Sequence, residues 1–125
     1  MEQQAPLRVM VVMAEEDLRL AFDEVLRELG YQVTTCADPI AAWLRLTTEP
    51  PPAVILIDVP RQEPGTAELY ALLRERGELV DTTVFLFTGR EPPPAPAEGP
   101  GLMHLFDHPV DLGTLLPALN AVLGR

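Results

Sequence analysis

Ala53-Val54-Ile55-Leu56-Ile57-Asp58 is the most apolar run in the chain, and it decides how the rest is read. An unbroken apolar stretch of this length fits a strand covered on both faces, as in a parallel sheet. It terminates on a carboxylate, and buried strands seldom end in acid by chance.

Working outward, residues 7–13 (L-R-V-M-V-V-M) form a similar run and predict the first strand. From Glu15 the period changes. Leu18, Phe22, Val25, Leu26 and Leu29 make one helical stripe, with acids in the first turn and Gly30 as the stop. The cycle repeats with a strand over 31–36, Asp38-Pro39 as cap and first-turn proline, and a helix over 40–46 that Pro50-Pro51-Pro52 ends. Beyond Asp58, Thr66 caps a third helix through Leu69, Leu72 and Leu73 to about Gly77, and 82–88 (T-T-V-F-L-F-T) is the fourth strand. The rhythm then breaks. Residues 89–101 hold five prolines and three glycines, so a loop replaces the fourth helix. A short fifth strand over 102–106 follows, and Leu112, Leu115, Leu116, Leu119, Val122 and Leu123 form the stripe of a last helix. That helix starts effectively at Thr114, which leaves Pro117 in its first turn.

Strands alternating with helices imply an α/β protein whose parallel sheet carries helices on both faces through right-handed crossovers. Five such units suit a flavodoxin-like, doubly wound (βα)5 sheet of order 2-1-3-4-5, in one domain spanning 1–125. Ligands of such sheets bind beyond the carboxyl ends of the strands. The residues that matter should therefore follow Met13, Asp58, Thr88 and Phe106.

Composition narrows the chemistry. The 125 residues are 47% hydrophobic and 22% charged, the make-up of a globular protein. There is no lysine and no serine, which excludes a Gly-Lys-Ser/Thr phosphate loop, a serine nucleophile and a Schiff-base lysine. The one cysteine, Cys36, cannot form an internal disulfide or a multi-cysteine zinc site. A net charge of −10 repels phosphate backbones, so no direct nucleic-acid partner is expected. No stretch approaches the roughly 18 apolar residues of a membrane span, and the N-terminus lacks the pattern of a secretory signal. The cytoplasm is the expected location.

At the four strand ends the sequence resembles a CheY-like response-regulator receiver domain, the phosphoacceptor module of two-component signalling, over nearly the whole chain, 7–123. By that resemblance Asp58, in I-L-I-D, matches the phosphoacceptor and Thr88, in F-L-F-T-G, the hydroxyl residue that contacts the phosphoryl group. Pro109 matches a proline preceded by a cis peptide. The departures concern the chemistry. V-V-M-A-E-E-D-L-R stands where the family has V-V-D-D-E-x-D-L-R, so Met13 and Ala14 occupy the acidic pair's positions and the usual magnesium ligands are missing. The family's lysine falls on His108, in D-H-P-V-D, and its aromatic switch falls on Leu105, which has no ring to swing.

Phosphoryl transfer to a carboxylate needs a divalent ion held by carboxylates, plus a cation and a hydroxyl on the phosphoryl oxygens. Here only Asp58 and Glu15 are left to hold magnesium, a weak set for an ion that favours octahedral oxygen ligands. No cofactor is expected, and magnesium only if the site accepts a phosphoryl group.

Each residue also has a plainer role. Asp58 could cap the following loop or meet an arginine, and Thr88 could simply end a strand. His108 could be an ordinary loop histidine or a cation above Asp58 whose charge follows pH, since a free imidazole titrates near roughly 6.5. His104 and His108 lack a third metal ligand. Met13 and Trp43 are expected in the core, and Glu15-Glu16-Asp17 suits the positive end of a helix dipole.

Three functions remain open: an atypical receiver acting as a protein-interaction module, a working phosphoacceptor with altered metal use, and a flavodoxin-like catalyst or nucleotide binder. The last lacks a glycine-rich turn opening a helix, so the chain is not expected to be an enzyme. The expected partners are a histidine kinase or an output domain. The 89–101 segment would change the face that receivers commonly use for output, and proline-rich segments lose little entropy on binding.

Overall fold

The computed structural model describes residues 7–58, 82–88 and 103–107, together with 64, 65, 68, 69, 71, 72, 113, 116, 117 and 119; for 86–88 and 103–107 the backbone alone is described. Its elements are β1 (Arg8–Met13), α1 (Glu16–Glu28), β2 (Gln32–Cys36), α2 (Pro39–Thr48), β3 (Val54–Asp58), β4 (Thr83–Thr88) and β5 (Met103–Asp107). The five strands form one sheet of order β2-β1-β3-β4-β5, and every pairing is parallel, as the alternating pattern requires. Glu68, Leu69, Ala71 and Leu72 are helical, as are Gly113, Leu116, Pro117 and Leu119. The last helix thus includes Gly113, one residue before the expected start. The Thr66 cap and the 89–101 loop lie outside the described residues.

Two cores sandwich the sheet. Because side chains alternate along a strand, Val9, Val11 and Met13 face Phe22 and Leu26 of α1 and Leu119, together with Val54, Leu56 and Phe85. Met10 and Val12 face Ala42 and Leu46 of α2 and Leu69, with Ile55, Ile57 and Val84. Burial on both sides is why β1 and β3 read as continuous apolar runs. At the opposite end from the carboxyl tips, the buried Thr82 hydroxyl donates to the Pro52 carbonyl at 2.8 Å. The Thr83 N–H donates to Ala53 O and the Ala53 N–H to Arg8 O, which sets the register of the three central strands.

The helix ends follow their local chemistry. Gly30 stops α1 at φ +93°, with its N–H on Arg27 O at 3.0 Å and the Tyr31 N–H on Leu26 O at 3.1 Å. This is a Schellman closure, and Tyr31 packs into the same core as Leu26. Arg27 then ties α1 to β2, donating to the Val33 carbonyl at 3.0 Å. At α2 the Asp38 carboxylate accepts the Ala41 N–H at 2.8 Å, and Pro39 opens the first turn where no N–H is needed. The helix continues to Thr48, two residues past the expected end at 46.

One packing expectation fails. Trp43 is not in the core: it is 40% exposed, with Ile40 and Leu44 beside it also exposed. The sheet takes Pro39, Ala42 and Leu46 instead. Ile40, Trp43 and Leu44 turn outward. Leu29, counted in the α1 stripe, is likewise exposed at the helix's C-cap.

Candidate functional site

The register brings Met13, Ala14 and Asp58 to one edge. β1 and β3 pair from Val9↔Val54 through Val12↔Ile57 to Met13↔Asp58. The Ala14 N–H donates to the Asp58 carbonyl at 3.3 Å, so the chain stays attached to β3 one residue past the end of β1. Asp58 is half-buried at this tip, and alternation places it on the same side of the sheet as Val54 and Leu56. Met13 is fully buried in the core beneath α1, as expected. Ala14 and Glu15 are exposed. The two positions where the resemblance implies an acidic pair therefore do lie beside Asp58, and they offer a buried thioether and a methyl group.

Glu15 is the N-cap residue of α1. Its carbonyl accepts the Arg19 N–H at 3.0 Å, while its side chain makes no capping hydrogen bond. Glu16 and Asp17 occupy the first turn, where negative charge complements the helix dipole. Arg19 has a part that its place in the sequence did not indicate. Its Nη1 donates to the Met13 carbonyl at 2.9 Å, so a guanidinium ties the first turn of α1 to the tip of β1. The acceptor is a main-chain oxygen, and no residue type in the sequence signals it.

Thr88 ends β4, the strand beside β3, and pairs with Asp107 at the end of β5. The backbone of Thr88 thus reaches the same edge of the sheet as Asp58. β5 runs one residue later than the expected 102–106, so Asp107 joins the strand and the expected His108 position follows it directly. His104 and Leu105 lie in β5, paired with Phe85 and Leu86. The side chains of Thr88, His104 and Leu105 lie outside the described residues, as do His108 and Pro109 altogether.

The donors described at this tip do not suit magnesium. The ion favours six oxygen ligands and carboxylates, whereas the β1 end supplies apolar groups next to Asp58, with Glu15 in solvent. Among the described residues no group of three or more His, Cys, Asp or Glu side chains could hold a metal ion.

Cys36 ends β2, in register with Val12, and is buried with a free thiol. Burial pushes the thiol's pKa up, Arg45 opposes the shift, and Asp38 and Glu49 add to it. Among the described residues no helix is long and apolar enough to cross a membrane.

No family model matches the chain, and no curated protein matches it. Solved structures do. The chemotaxis response regulator CheY4 of Vibrio cholerae superposes with a TM-score of 0.74 at 23% identity, covering 94% of this chain and 99% of that one. A putative response regulator from Chloroflexus aurantiacus gives a TM-score of 0.75 at 20% identity, over 97% of this chain and 100% of its own. A response regulator receiver protein from Pseudomonas putida gives 0.75 at 20%, over 95% and 99%. At these identities the likeness is one of fold: the chain has the flavodoxin-like architecture that the strand pattern predicted, and the solved CheY-like receiver domains share it.

Proposed function

We propose that this chain is an atypical response-regulator receiver domain of phosphorelay signalling, which works in the cytoplasm as a protein-interaction module with little or no phosphorylation at Asp58. Its partners are signalling proteins, a histidine kinase or an output domain. It acts neither as an enzyme nor by binding nucleic acid directly.

One observation carries the proposal: the residue paired with Asp58 is Met13, and the residue bonded to its carbonyl is Ala14. A phosphoryl group passing to a carboxylate needs positive charge on its oxygens, normally from a metal and a cation. Here the sequence supplies neither an acidic pair to hold the metal nor any lysine. Each lost electrostatic contact to a transition state costs about 3 kcal/mol, roughly a hundredfold in rate. Two such losses suppress transfer by several orders of magnitude, while the packing that defines the scaffold does not depend on them.

A working phosphoacceptor with altered metal use is the second reading. Glu15, exposed beside the β1 tip with its side chain uncommitted to capping, favours it. Incubation of the purified chain with magnesium and a small-molecule phosphodonor, followed by intact-mass measurement, separates the two. The expected spectrum lacks the mass gain of one phosphoryl group. Stoichiometric modification that Asp58→Asn abolishes would establish the phosphoacceptor instead.

A further inference from the structure

The outer face of α2 is the least explained surface of the described structure. Ile40, Trp43 and Leu44 lie at i, i+3 and i+4 on one stripe and are 52%, 40% and 53% exposed. Single exposed apolar residues need no explanation, but a contiguous patch with a large aromatic at its centre does. Beside it runs a groove of about 470 Å³, lined by Ile40, Trp43, Pro64, Gly65 and Glu68. Gly65 shapes this groove. It sits at φ +93°, and a Cβ there would come within 2.6 Å of Ile40 Cγ1, so the close approach of this turn to α2 depends on the missing side chain.

Among the described lining residues only Glu68 is charged; it is exposed and forms no hydrogen bond or ion pair with any described residue. That single charge selects the occupant. A second copy of this chain would bring together two molecules of net charge −10, which repel one another. An occupant with apolar side chains flanked by basic ones satisfies both halves of the surface, and a helix delivers such a set on one face. We infer that the Ile40–Trp43–Leu44 face and its groove form a docking site for a basic amphipathic helix of a partner protein, with an apolar side chain beside Trp43 and a lysine or arginine meeting Glu68. This site stands independently of the receiver proposal, because it uses neither Asp58 nor its neighbours.

Trp43 is the only tryptophan, so its fluorescence reports on the site itself. The probe is a synthetic Leu/Lys helix of about 14 residues, four turns, with leucines at i, i+3, i+4 and i+7. A Leu/Glu peptide of the same pattern is the comparison. The Leu/Lys peptide should give a saturable blue shift and bind at least about tenfold more tightly than the Leu/Glu peptide.

Glu68→Lys should weaken Leu/Lys binding about tenfold, whereas Glu24→Lys should change it less than about twofold. Glu24 provides the control because it is exposed on α1, against the opposite face of the sheet, and the substitution changes net charge equally. Leu44→Asp, at an exposed position that leaves folding intact by circular dichroism, should also weaken binding. The inference is overturned by an absent or unsaturable shift, by equal effects of Glu68→Lys and Glu24→Lys, or by self-association of the chain alone that Leu44→Asp abolishes.

Discussion

For four of their five paired positions β1 and β3 are interchangeable in kind. Val9, Met10, Val11 and Val12 face Val54, Ile55, Leu56 and Ile57, all buried on both sides of the sheet. At the fifth pair they part, with Met13 ending one strand inside the core and Asp58 ending the other at a half-open edge. The body of the pair is held by many apolar contacts, so changes there are felt by the whole molecule. The tip is held by a main-chain hydrogen bond from Ala14 and by the Arg19 guanidinium on the Met13 carbonyl, neither of which needs acidic side chains. A scaffold can therefore persist while the chemistry at its edge changes.

Acids placed at the tip sharpen this contrast. Met13→Asp puts a carboxylate where no surface is exposed and should destabilise the fold by about 4 kcal/mol or more, seen in the denaturant midpoint. Ala14→Asp, one residue further and in solvent, should stay within about 0.5 kcal/mol of the parent. Similar costs for the two would mean that the tip is not divided between core and edge as described.

A smaller effect is expected at the neighbouring tip of β2. Burial holds the Cys36 thiol neutral in the folded chain beyond its ordinary range, roughly 8.5. Below that range both states keep the proton and its ionisation contributes nothing. As pH rises through it, the unfolded chain loses the proton first, so stability falls until the folded thiol ionises as well. Chemical denaturation from pH 7 upward should show an alkaline decline that is shallower in Cys36→Ala. Parallel slopes in the two proteins would rule out this contribution.

Much of the architecture is legible in the residues because burial leaves a periodic signature. Two-sided burial made β1 and β3 continuous, Gly30 marked the left-handed stop of α1, and Asp38-Pro39 marked the start of α2. The orientation of α2 was not legible. Nearly every residue from Ile40 to Leu46 is apolar, so the pattern does not say which side meets the sheet, and Pro39, Ala42 and Leu46 are the residues that do. Of the site, Asp58 was legible as an acid closing an apolar run, and Met13 and Ala14 by their places beside it. Arg19 was not, because its acceptor is a carbonyl.

On the proposed reading, the groups missing around Asp58 keep it unmodified, so supplying them should permit phosphorylation. Ala14→Asp combined with His108→Lys restores an acid and a lysine at the positions the receiver resemblance assigns to them. Under magnesium and a small-molecule phosphodonor, intact mass followed over time should show phosphoryl addition to the double variant, lost again with Asp58→Asn, and none to the parent chain. Equal modification of parent and variant would contradict the claim.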